Sequence, residues 1–167
     1  MTLMTKPIIR VVAGIWQDNT RQCFLGRRCG NREFAGAWEY PGGKVDLLPD
    51  GVTWETDEVA LAREWQEELG LAITVGNKVW QSGTVSTPTG VLFCLCAYWV
   101  RPVDDRAPYY LKGSHSEVCW LRPVQILSLS DDESTPSLKP IAETTLWRRD
   151  WTFNKNVISM NHTEPWF

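Results

Sequence analysis

Two short stretches, Ile8 to Trp16 and Val91 to Val100, are almost continuously apolar and rich in branched and aromatic residues. Such runs predict buried strands. From Thr56 to Gly70 the pattern changes to a helical one. Leu61, Ala62, Trp65 and Leu69 share one arc at about 100° per residue, and Glu64, Glu67 and Glu68 fall within roughly one third of the circumference beside it. Thr56 is suited to the N-cap, Asp57 and Glu58 to a first turn that favours anions, and Gly70 to the left-handed stop. A second helix is expected after Trp120, beginning near Pro123 or within Ser137 to Trp147. The elements add up to an α/β (α+β) chain with a mixed sheet flanked by helices. At 167 residues without a repeat or low-complexity linker, one domain is expected. Its bounds are set at 1–147, with an aromatic extension at 148–167. That extension holds Trp151, Phe153, Trp166 and Phe167 and is expected to pack on the domain or at a dimer interface.

Charge narrows the partners. The net charge is −3 and no stripe of Lys and Arg is present, which argues against a nucleic acid polymer as the ligand. No apolar run approaches the roughly 20 residues of a membrane helix, and the N-terminus lacks a signal-peptide pattern. A cytoplasmic protein is the expectation, monomeric or homodimeric. Ten tryptophans suit a core or interface, with one or two free to stack on a base. The five cysteines (23, 29, 94, 96 and 119) read as reduced, buried thiols, with Cys94 and Cys96 on one sheet face. His115 and His162 are not spaced as a ligand pair and are expected at the surface.

Candidate chemistry is concentrated in one segment. A glycine turn, Trp38-Glu39-Tyr40-Pro41-Gly42-Gly43-Lys44, precedes the helix that carries Glu64, Glu67 and Glu68. Carboxylates spaced i, i+4 repel one another, and adjacent glutamates raise each other's pKa unless a cation intervenes. Mg²⁺ or Mn²⁺ would relieve that repulsion, since hard cations take oxygen ligands and bridge to phosphate. Arg63 lies four residues before Glu67, close enough to fix its rotamer. Glutamates so spaced are ordinary on a solvated helix, and Pro-Gly-Gly is commonly a plain turn. Their order, with seven residues between Glu55 and Arg63, is what gives the segment its specificity.

From Gly43 to Leu71 the segment resembles the Nudix box, G-x5-E-x7-R-E-U-x-E-E-x-G-U, where U is bulky and apolar. It departs once: eleven residues rather than five separate Gly43 from Glu55, and the surplus falls within Asp46 to Trp54. The resemblance extends over residues 8–145 and favours the MutT-like branch, through Arg27-Arg28, the Trp-Glu-Tyr-Pro-Gly-Gly-Lys turn and Ser116 to Leu121.

The resemblance implies an α/β/α sandwich and Mg²⁺- or Mn²⁺-dependent cleavage of a phosphoanhydride. A nucleoside triphosphate would yield a monophosphate and pyrophosphate. ADP-ribose or a nucleoside diphosphate-sugar is the alternative substrate, and a non-catalytic nucleotide-binding module the alternative class. Glu64, Glu67, Glu68 and backbone at Gly42 or Gly43 would hold metal. Glu64 is the first choice for general base and Glu117 the second. Arg63 would orient a glutamate, and Glu55 would act as a structural cap or an outer-shell ligand. Arg28 and Lys44 would meet phosphate, with Tyr40 also in the substrate site. Ser134, two residues before Pro136, would read the base, and a short hydroxyl there implies a broad or pyrimidine-tolerant pocket.

Overall fold

The computed structural model describes residues 6–147, so the aromatic extension and His162 lie outside the described residues. Strand β1 (Ile9–Ile15) runs parallel to β7 (Leu92–Pro102) and antiparallel to β4 (Gly42–Lys44). On the far side of β7 lies β5 (Ile73–Gln81), antiparallel, and β6 (Val85–Ser86) pairs with the start of β7. A second, antiparallel sheet has the order β3–β2–β8, from Trp38–Glu39, Cys23–Arg28 and His115–Leu121.

Alternation along these strands builds two cores. Ala13, Ile15, Leu95, Ala97 and Trp99 point to one face, where Ile126, Leu138 and Ile141 cover them. Val12, Tyr98 and Val100 point to the other, under Leu61, Trp65 and Leu69. Successive Cβ atoms leave a strand on opposite sides, so apolar strands without a polar register need a cover on both. Helix α1 (Asp57–Leu69) covers one face; α2 (Pro123–Leu127) and α3 (Leu138–Trp147) cover the other. Mixed sheets flanked by helices are the expected sandwich. The two placements considered for a second helix are both occupied, separated by a 3₁₀ turn at Asp131–Glu133.

Helix α1 begins and ends where its sequence directs. Thr56 Oγ1 accepts from the Val59 amide at 3.3 Å, and Gly70 closes the helix at φ 68°. Asp57 is held by Arg10 of β1 and by the Tyr98 hydroxyl of β7 at 2.5 Å, which ties the helix start to the sheet.

The histidine and cysteine expectations need correction. His115 is 3% exposed, because β8 turns it inward beneath β2, where Gly26 leaves room for the ring. Cys23 is buried, whereas Cys29, Cys94, Cys96 and Cys119 are partly exposed; all five thiols are free. Among the described residues, no helix is long and apolar enough to cross a membrane.

Candidate active site

Close approach of a turn to a helix makes the site. Gly42 and Gly43 pair with Ala13 and Val12 of β1 while passing under α1. A Cβ on Gly42 would sit 1.9 Å from the Val12 carbonyl oxygen, and one on Gly43 would sit 2.2 Å from Cδ of Glu64. At Gly42 the clash is with backbone and only glycine fits, whereas at Gly43 a side chain larger than hydrogen would displace the Glu64 carboxyl. Trp65, fully buried, fastens the turn by donating from Nε1 to the Pro41 carbonyl at 3.0 Å.

The insertion is self-contained. Leu47 pairs with Trp54, Leu48 N donates to Thr53 O at 2.7 Å, and Glu55 N donates to Asp46 O at 2.9 Å. The extra residues form a small hairpin with a closed neck, so Glu55 returns in register. Glu55 is 8% exposed and accepts from the Asp46 amide at 2.9 Å, as well as from Arg63. Those hydrogen bonds, Arg63 first, hold its carboxyl below the ordinary range.

Arg63 gathers four acidic side chains. Nε and a terminal nitrogen reach Glu55 at 2.7 and 2.9 Å; another nitrogen reaches Glu64 at 3.0 Å and Glu67 at 3.2 Å. Asp46 lies 3.2 Å away, and the Lys44 carbonyl accepts at 3.0 Å. Glu67 itself is 59% exposed.

Glu64 and Glu68 face inward. Desolvation raises the Glu64 carboxyl, which Arg63 partly offsets. Glu68 is 7% exposed and its carboxyl is pushed up to about 8, by burial first and then by the charges of Glu39 and Glu64. Its Oε2 is buried without a partner. Glu39, from β3, accepts from Arg28 at 2.7 Å and from His115 Nε2 at 3.0 Å. Neither Glu39 nor His115 was marked by sequence reasoning. Glu39 stood within the glycine-turn motif, whereas nothing in the spacing of His115 signalled burial.

A cavity of about 650 Å³ opens at this point. Arg28, Glu39, Lys44, Asp46, Glu64 and Glu68 supply its polar lining, and Ile9, Val11, Phe93, Leu95 and Ile141 its apolar lining. Tyr40 belongs to the wall, but its ring is in the core and its hydroxyl is buried beside Cys23. Thr135, Pro136 and Ser137 line the cavity; Ser134 does not, because its hydroxyl turns away to donate to the Ser130 carbonyl at 2.9 Å. Glu117 also stands apart. It pairs with Arg27 at 2.5 Å, and register sets Arg27 beside Trp38 while Arg28 enters the cavity.

Among the described residues, no three His, Cys, Asp or Glu side chains are gathered so as to hold a metal ion by themselves. The arrangement can instead offer an open half-shell of oxygens, which suits a hard cation that keeps water and phosphate among its ligands. A buried carboxylate oxygen without a partner is the kind of group such a cation satisfies.

A family model described as the NUDIX domain matches residues 7–143. The chain is 35% identical over 100 residues to an 8-oxo-dGTP diphosphatase of Haemophilus influenzae, across 58% of this chain and 68% of that protein. It is 42% identical over 72 residues to a CTP pyrophosphohydrolase of Escherichia coli, across 43% of this chain and 48% of that protein. These alignments thus span between about half and two thirds of the relatives' lengths. The MutT protein of Methanosarcina mazei Go1 has the same fold, with a TM-score of 0.69 at 25% identity over 84% of this chain and 94% of that one. With the box helix and its glycine turn in place, the chain belongs to the NUDIX family, as a MutT-like hydrolase of phosphoanhydride bonds, in a family whose members use divalent metal ions.

Proposed function

We propose that the protein hydrolyses nucleoside triphosphates to nucleoside monophosphate and pyrophosphate in the presence of Mg²⁺. One observation carries the reading: a single cavity is lined both by carboxylates, Glu64 and Glu68 of α1 among them, and by apolar side chains of the sheet and of α3. The first suits a metal-bound polyphosphate, the second a base and sugar.

Glu64, Glu68 and the Gly42–Gly43 backbone would hold the cation, with Glu67 completing the set. When bound, Mg²⁺ supplies neutralising charge to the phosphates and polarises the phosphorus under attack. Lys44 and Arg28 are placed to meet phosphate oxygens, as point charge and planar fork respectively. Arg63 touches no substrate in this scheme; it fixes the Glu64 and Glu67 rotamers. Glu64 Oε1 accepts from Arg63, which leaves Oε2 to take the proton of the attacking water. The five free thiols are consistent with a reducing cytoplasm.

Turnover of a nucleotide panel with Mg²⁺, products separated, tests the proposal. Pyrophosphate and a monophosphate are expected from at least one triphosphate. Turnover confined to ADP-ribose or a nucleotide sugar would move the protein to that branch, and tight binding without turnover would make it a binding module.

A further inference from the structure

His115 lies outside the machinery described so far, yet its surroundings tie it to the cavity. The ring is fully buried, and Gly26 makes space for it: a Cβ there would meet the imidazole at 2.5 Å. Its Nε2 lies 3.0 Å from Glu39 Oε1, while its Nδ1 is buried without a partner. A carboxylate only accepts, so the N–H is on Nε2. The second oxygen of Glu39, Oε2, takes Arg28 at 2.7 Å, and Arg28 Nε donates to the Glu33 carbonyl at 2.9 Å. Arg28 lines the cavity.

We propose that His115 is a positioning residue for the polyphosphate site: by occupying Oε1 of Glu39, it confines that carboxylate to a single-point hold on Arg28 and keeps the remaining edge of the guanidinium available to phosphate. The inference rests on the functional reading above, in which Arg28 meets substrate. Arginine and carboxylate pair most strongly as fork on fork, with two parallel hydrogen bonds. Released from His115, Glu39 is free to turn both oxygens on Arg28 and withdraw the edge that phosphate needs. A donor at Nε2 is therefore required, and the imidazole ring as such is not. Substrate contacts Arg28; His115 acts two side chains behind it.

The test is calorimetric binding of inorganic triphosphate with Mg²⁺ to the full chain, in a double-mutant cycle. Loss of a charge-assisted hydrogen bond behind the site is expected to weaken triphosphate binding about tenfold in His115→Leu. His115→Gln, which keeps an N–H donor near the same place, should restore most of that loss. In an Arg28→Ala background the His115→Leu change should cost less than about twofold, because the residue through which it acts is gone. Equal losses in both backgrounds, or equal losses for Leu and Gln, would overturn the inference and leave the functional reading standing. Failure of the parent protein to bind triphosphate would remove both. Should His115→Leu not fold, His115→Phe takes its place in the same cycle: it keeps a ring in the space beside Gly26 and removes the donor, and its loss of affinity should likewise disappear without Arg28.

Discussion

Arg63 clasps Glu55 with two nitrogens, Nε to Oε1 at 2.7 Å and a terminal nitrogen to Oε2 at 2.9 Å, and thereby commits its remaining edge to Glu64 and Glu67. The buried carboxylate fixes the guanidinium, and the guanidinium fixes the carboxylates of the site. A lysine would keep the charge and lose the fork. Arg63→Lys is expected to lower kcat by about 10- to 100-fold with far-ultraviolet circular dichroism unchanged, since misplaced catalytic groups are expensive even when present. Glu55→Gln should show a smaller loss in the same assay.

The two glycines of the turn should fail differently. An added Cβ at Gly42 meets backbone, 1.9 Å from the Val12 carbonyl, whereas at Gly43 it meets the Glu64 carboxyl end at 2.2 Å. Gly42→Ala is therefore expected to lower the melting temperature by several degrees, as a loss of about 1–3 kcal/mol would. Gly43→Ala should melt near the parent, because a side chain can swing aside, but should lose most turnover.

Glu68 links stability to pH. Its carboxyl is raised from 4.5 to about 8 in the folded protein. Between those values the native state holds a proton that the unfolded chain has released, so stability falls as pH rises through that window. Thermal unfolding of chelator-treated protein from pH 5 to pH 8 should show this decline, and Glu68→Gln should flatten it. Mg²⁺ should stabilise the parent more at the alkaline end, where the carboxylate is free to bind it.

The choice of general base is open to a direct comparison. Glu64→Gln is expected to reduce kcat by about 10²- to 10⁴-fold, the range for loss of a positioned proton acceptor. Glu117→Gln should stay within about twofold, because the side chain it replaces is half exposed and engaged with Arg27.

Base preference should respond to Thr135 and not to Ser134. The Ser134 hydroxyl is committed to the Ser130 carbonyl, while Thr135 lines the cavity. Ser134→Ala should leave relative kcat/KM values across a triphosphate panel unchanged. Thr135→Val should shift them by about three- to tenfold, the scale of one hydroxyl gained or lost at a base edge.

Much of this was legible in the chain because it is local. The Thr56 cap, the Gly70 stop and the shared arc of Glu64, Glu67 and Glu68 all follow from spacing along one helix, and the helix forms as spaced. Buried strands at Ile9–Ile15 and Leu92–Pro102 were equally plain from their composition. What the chain concealed depends on pairing between distant segments. Burial of His115 arises because β8 packs on β2 at a glycine 89 positions earlier, a fact no window of sequence contains. The same pairing gives Arg28 to the cavity and Arg27 to the outside, although the two stand side by side in the chain. Between Ser134 and Thr135 a single step along the chain separates a hydroxyl that bonds its own turn from a residue that lines the cavity.

The closed neck between Asp46 and Glu55 has a practical side. Backbone pairing at the neck, and the carboxylate of Glu55 on the Asp46 amide, make the position of α1 independent of how much chain lies beyond them. Residues 47–54 are in effect a socket. A shorter turn, an affinity peptide or a reporter dye could be exchanged there while the carboxylates of α1 keep their places.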